Sequence, residues 1–304
     1  MPVLERTVAV AGPLDLRRTL APLRHGALDP TTRFGPDGVW RATRTAHGPA
    51  TVHLAPAGGG VRGRAWGPGA GPALDAVADL VGAGDDRAGF QPGRHPVVAA
   101  LARRLAGLRI PRTAAVLEAL VPAVLEQKVP GVEARRAFVA LVRAVGERAP
   151  GPAGDAGLLV PPEPDRLAAL PSYAYHRWGV ERRRAETVRR AAAVAPALER
   201  LAGLAPAEAR RRLCARPGVG PWTAAEVALV ALGDADAVPV GDYHLPHQVA
   251  WALAGEPRGD DARMPELLEP FGGHRGRVVR LVVAGGAGAP RFGPRAPLRS
   301  IAAL

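Results

Sequence analysis

The chain has 304 residues, 47% of them hydrophobic, which is enough for two domains with sizeable cores. A formal net charge of +12 favours an anionic partner, nucleic acid before a membrane surface. A single cysteine, Cys214, excludes an internal disulfide and any four-cysteine iron–sulfur or zinc site, and no apolar run approaches the ~18 residues of a membrane span.

Residues 1–6 lack the layout of a signal peptide, so the chain reads as cytoplasmic. Short alternating patterns predict strands over 6–11, 39–44, 51–55 and 61–66, with a turn at Gly58-Gly59-Gly60. Helical patterns cover 14–23 and 73–81, so residues 1–88 read as a small α+β domain. From residue 96 onward the patterns are helical: 97–106, 113–127, 133–145, 164–169, 182–201, 206–215, 222–232, 243–254, 264–268 and 275–284. A Pro/Gly-rich loop spans 150–164, and the tail after Gly285 reads as an extended strap. Residues 89–304 therefore form a second, mostly α-helical domain.

The densest local signal is Arg216-Pro217-Gly218-Val219-Gly220-Pro221-Trp222-Thr223, followed by Val240-Gly241-Asp242-Tyr243. Gly218 and Gly220 suit a hairpin with positive φ, and Pro221 suits the first turn of a helix. Backbone N–H groups at such a hairpin form an anion site. Arg210, Arg211 and Arg212 precede it, and Arg182-Arg183-Arg184 with Arg189-Arg190 form a basic stripe; either set can face phosphates or simply solvent. Asp242 suits a helix N-cap as well as a catalytic carboxylate. His244 and His247 stand three apart, but a third metal ligand is not apparent, so no metal is expected.

The hairpin and the following aspartate resemble the helix-hairpin-helix DNA glycosylase superfamily. Over nearly the whole chain the layout is similar to the AlkA-type 3-methyladenine DNA glycosylases. Phe90-Gln91-Pro92-Gly93, residues 105–111, Leu125-Glu126-Gln127-Lys128-Val129 and residues 179–186 sit where that family has similar segments. The first ninety residues match in outline only.

The resemblance implies an α+β domain before a helix-hairpin-helix glycosylase domain whose two helical lobes flank a cleft. It implies Asp242 as the catalytic carboxylate, with Trp222 and Tyr243 as aromatic walls of the base pocket. Glu226 and His274 stand where the family carries further pocket aromatics, which makes them candidate substrate contacts and departures that leave the lesion open. Gly218, Val219, Gly220, Thr223, Gln127, Lys128 and Arg275 fall at DNA-contacting positions, with Lys128 in the segment that fills the gap left by an extruded nucleotide. Lys128 is the only lysine and none stands at the hairpin. Schiff-base chemistry needs an amine, so a monofunctional hydrolase is expected, with damaged duplex DNA as partner, no cofactor, and a monomer near a bacterial nucleoid. The alternatives are an oxidised-purine glycosylase and a non-catalytic DNA-binding module of the same fold.

Overall fold

The computed structural model describes residues 3–286 and 288–290. The strap read after Gly285 lies, beyond Pro290, outside the described residues.

The N-terminal strands form one antiparallel sheet. It contains β1 (Leu4–Ala9), β2 (Thr32–Gly35), β3 (Gly38–Thr45), β4 (Gly48–Ala57) and β5 (Gly60–Trp66), in the order β1–β5–β4–β3–β2. The sequence pattern missed β2, whose start is set by a side chain. Asp29 Oδ1 accepts from Thr31 N at 2.7 Å and from Thr31 Oγ1 at 2.8 Å, which turns the chain into the strand. β4 extends past the expected 51–55 because it is buried on both faces. Ala50, Val52 and Leu54 meet one core, while Thr51 and His53 face the other side.

The helix expected over 14–23 is shorter. α1 (Leu16–Leu20) starts at Asp15, whose Oδ1 accepts from Arg18 N, and passes into a 3₁₀ turn at Ala21–Leu23 containing Pro22. The helix expected over 73–81 is two pieces, α2 (Ala70–Asp75) and α3 (Val77–Leu80), which close the first core against the sheet.

The helical part follows as α4 (Pro96–Arg104), α5 (Val116–Leu125), α6 (Gly131–Val145), α7 (Pro152–Asp155), α8 (Pro164–Ala169), α9 (Arg182–Ala193), α10 (Ala195–Glu199), α11 (Pro206–Cys214), α12 (Pro221–Val227), α13 (Leu245–Ala254), α14 (Arg263–Leu268) and α15 (Arg275–Gly285). The expected loop over 150–164 holds α7, flanked by the paired strands β6 (Glu147–Arg148) and β7 (Leu159–Val160). The expected helix over 182–201 breaks before α10 because Pro196 cannot continue an α-helical ladder. α5 begins three residues late: Ala114 has φ +54°, and the N–H groups of Val116 and Leu117 are bound by the Glu199 carboxylate at 2.7 and 2.9 Å. α12 continues as a π-helical stretch, Ala228–Leu232.

Among the described residues, two large cores lie in this part, beside a small cluster of Ala149, Ala153, Leu158 and Val160 against Ala42. One gathers α5, α6, α9 and α12, with Leu120, Leu141, Val188 and Val227 buried. The other gathers α4, α13, α14 and α15, around Val98, Val249, Met264 and Val278. Residues before α4 are tied to α15 by a buried ion pair. Asp85 Oδ1 and Oδ2 meet Arg277 Nη2 and Nη1 at 2.7 and 2.8 Å, and both side chains are 2% exposed. Among the described residues no helix is long and apolar enough to cross a membrane.

Candidate active site

A tight turn links α11 to α12. Gly218 has φ +87°, and a Cβ there would fall on the Thr187 side chain of α9. Gly220 differs from the expectation: its φ is −93°, an ordinary value, and a Cβ would meet nothing within 4 Å. The fold demands glycine at 218; at 220 its absent side chain leaves the backbone open to approach. Gly218→Val is expected to destabilise the protein by about 1–3 kcal/mol, from strain and overpacking. Urea unfolding checks this, and an unchanged midpoint would contradict the assigned geometry.

Val219 and Thr223 are buried, so neither side chain is presented to a partner. Gln127 is turned inward, contrary to an outward-facing role. Its Nε2 donates to Gly218 O and Thr223 Oγ1, both at 2.9 Å. The amide thus ties the hairpin to the loop after α5. The next residue, Lys128, sits in that loop at φ +56° with its side chain exposed.

Asp242 precedes α13 and is half-buried. Its Oδ1 accepts from the N–H groups of His244 and Leu245 at 2.7 and 2.9 Å. Its Oδ2 accepts from Trp222 Nε1 at 3.0 Å. The two Oδ1 bonds close a turn over residues 242–245, which delays the start of the helix to Leu245 rather than 243. The same bonds fix the carboxylate at the wall of a cleft of about 1370 Å³, which Trp222, Glu226 and Asp242 line together.

Two further ionisable residues share this end of the cleft, Glu126 and Arg280. Burial raises the Glu126 carboxyl, opposed by Arg135 and reinforced by Asp242. Burial, then Glu126 and Asp242, push Glu226 up to about 8. Burial brings Arg280 down to about 10, against the pull of Glu226. Nothing in the local sequence marks Glu126, within residues 125–129, or Arg280 as part of this site.

Several expected contacts lie elsewhere. Tyr243 is 81% exposed and does not line the cleft; its ring packs edge-on against His244 at 4.9 Å, because the residue is in the loop before α13. His274 is buried away from the cleft, its Nε2 within 2.9 Å of Ala88 O and its ring against Phe90. Arg275 is paired with Asp236 through Nε at 2.8 Å and through Nη2. Of the basic stripe, Arg182, Arg183 and Arg190 surround a shallow hollow with Thr187 and Gly218. Arg184 is buried instead and donates to Leu125 O at 2.6 Å. Arg210 pairs with Asp234, and Arg211 and Arg212 with Glu208, so these three side chains are engaged within the protein. His247 Nδ1 accepts from Gly259 N, and the described residues hold no group of three candidate metal ligands.

No family model matches the chain. In sequence it is 36% identical over 161 residues to a protein described as "Probable bifunctional transcriptional activator/DNA repair enzyme AlkA" from Mycobacterium tuberculosis. That match takes in 50% of this chain and 30% of the relative. In structure it is similar to a 3-methyladenine DNA-glycosylase from Archaeoglobus fulgidus, with TM-score 0.77 and 16% identity over 91% of this chain and 97% of that one. It is also similar to an 8-oxoguanine glycosylase/lyase from Clostridium acetobutylicum, with TM-score 0.69 and 14% identity over 92% and 97%. The likeness expected from the sequence is borne out over most of the chain. The fold, an antiparallel five-stranded sheet followed by a mostly helical region, is that of the AlkA- and OGG-like proteins.

Proposed function

We propose that this chain, which carries the fold of the helix-hairpin-helix DNA glycosylases, is a monofunctional DNA glycosylase that removes alkylated purines. The observation that carries the reading is Asp242, held by Trp222 and the start of α13 on the wall of a cleft beside the hairpin.

The chemistry follows from that geometry. A base inside a duplex is out of reach until its nucleotide is rotated out of the stack. As the N-glycosidic bond breaks, its electron pair leaves with the base and the sugar becomes cationic. A fixed carboxylate beside the anomeric carbon stabilises that charge without reorganising. Water then adds to the sugar carbon and gives up its proton, leaving an abasic but unbroken strand. The hairpin backbone and Arg182, Arg183 and Arg190 would hold phosphates, which position the duplex without reading sequence.

Mass spectrometry of free bases released from methylated genomic DNA tests the reading. Methylated purines are expected in the supernatant, and their absence would remove the activity. The polar wall of Glu126, Glu226 and Arg280 favours a second reading, an oxidised-purine glycosylase. Faster release of 8-oxoguanine than of methylated purines would select it.

The strand chemistry is checked separately. Lys128 is the only lysine and does not line the cleft. Borohydride is therefore expected to trap no protein–DNA adduct, because an imine needs an amine at the sugar carbon. A trapped adduct that disappears in Lys128→Ala would move the protein to the lyase class. With Lys128 filling the vacated stack, Lys128→Ala should slow excision from duplex more than from single-stranded DNA. Equal rates on both would remove that role.

A further inference from the structure

The excision step leaves two carboxyl groups of the cleft wall, Glu126 and Glu226, without a task. Glu226 follows Trp222 by one turn of α12, so the two project from the same helix face. Both line the cleft that Asp242 borders. Trp222 is fixed by its bond to Asp242, and Asp242 is bonded through both oxygens. Arg280 donates to Arg18 O at 3.2 Å. The Glu226 carboxyl has no hydrogen bond or ion pair with any described residue, and the residue is half-buried in the cleft wall.

We propose that Glu226 reads the extruded base, setting its carboxyl group edge-on to the N1 side of a purine whose ring lies along Trp222. This assignment rests on the glycosylase reading above. The groups facing Glu226 come from three other elements: Glu126 at the end of α5, Asp242 before α13, and Arg280 on α15. Arg135 of α6 acts on Glu126 behind it. Arg41 is bonded to Glu118, and Arg44 to Glu163, so these cleft-lining groups already have partners.

With its carboxyl pushed up to about 8 by burial and by Glu126 and Asp242, Glu226 is mostly protonated at neutral pH. It then offers an O–H donor beside a carbonyl acceptor. 3-Methyladenine presents the complement, an acceptor at N1 beside an N–H at the exocyclic amine. Hypoxanthine presents an acceptor at O6 beside an N–H at N1. A purine methylated at N1 presents neither pair. The carboxyl group thus admits purines unmodified at N1, an edge that undamaged adenine and guanine share, and excludes those methylated there. Ionising Glu226 removes the donor, so recognition falls as pH rises through that value.

The test uses the full chain and duplex DNA holding 3-methyladenine, with released base measured below saturation from pH 6 to 9.5. The wild-type second-order rate constant should fall about tenfold per unit above about pH 8, as loss of a required proton from the free enzyme demands. E226A should lose at least about tenfold at pH 7, the scale of unmade hydrogen bonds to the base. E226Q, which keeps a donor beside an acceptor, should recover most of that loss and abolish the alkaline fall. Binding of E226A to a duplex with an abasic-site analogue should match wild type, since no base is there to read. Excision by E226A close to wild type, an alkaline fall that persists in E226Q, or parallel loss of abasic-site binding would each overturn the assignment while leaving the glycosylase intact. No base release by wild type would overturn the glycosylase reading and this assignment with it.

Discussion

Asp242→Asn should bind duplex DNA as wild type does while losing at least about a hundredfold in base excision, the scale for removing a fixed electrostatic stabiliser. The variant suits the question because asparagine closes such turns as aspartate does. Its side-chain oxygen can still accept from His244 N and Leu245 N, the two bonds that Asp242 Oδ1 makes. What disappears is the negative charge beside the sugar, together with the bond from Trp222 Nε1, which the amide nitrogen put in place of Oδ2 cannot accept. Single-turnover excision near the wild-type rate would sink the role of Asp242. Lost DNA binding together with a lower melting temperature would show instead that closing the turn was its main contribution.

The second large effect concerns stability. Asp85→Ala leaves the Arg277 guanidinium buried without its carboxylate. Arg277 would keep its bond to Asp86 O at 2.8 Å and its place 5.6 Å from the centre of the Phe90 ring. Neither contact neutralises a buried charge. Breaking such a pair from one side costs about 3–5 kcal/mol. Replacing both partners by apolar residues is expected to cost less, since no orphan charge remains. Equilibrium urea unfolding of Asp85→Ala and of an Asp85→Leu/Arg277→Met double variant measures both. A loss below about 1 kcal/mol in the single variant would refute the burial argument.

The hairpin and its aspartate were legible because their determinants are local. Gly218 sits at positive φ, Pro221 opens α12, and Asp242 stands just before α13. The sheet was legible where strands alternate, and obscure where Asp29 starts β2 or where β4 is buried on both faces. The site was harder to read. Glu126 and Arg280 meet Glu226 only because α5, α12 and α15 converge on one cleft, and no sequence spacing encodes that. Tyr243 faces out and His274 faces in because a loop and a buried hydrogen bond, not helical periodicity, orient them. Glu199 caps a helix some eighty residues earlier in the chain, which a scan for local caps cannot find.

The two helical cores are nested in the chain. The polypeptide leaves the core of α4 after Leu108, builds the other core from Ile110 to Ala237, and returns to complete the first with α13, α14 and α15. Among the described residues, two crossings of the backbone join them. Near the outgoing one, Thr113 N and Ala114 N bond to Val230 O and Ala231 O, just before the returning one. Rotation about these crossings is the motion such a connection would admit, and it is opposed by the N-terminal domain, which is bonded to one lobe through Arg41 and Glu118 and is tied to the other through Asp85 and Arg277. Trp222 and Glu226 would turn with one lobe and Asp242 with the other. The Trp222–Asp242 bond, 3.0 Å across the gap, is then a latch that must part whenever the jaws swing open at that wall.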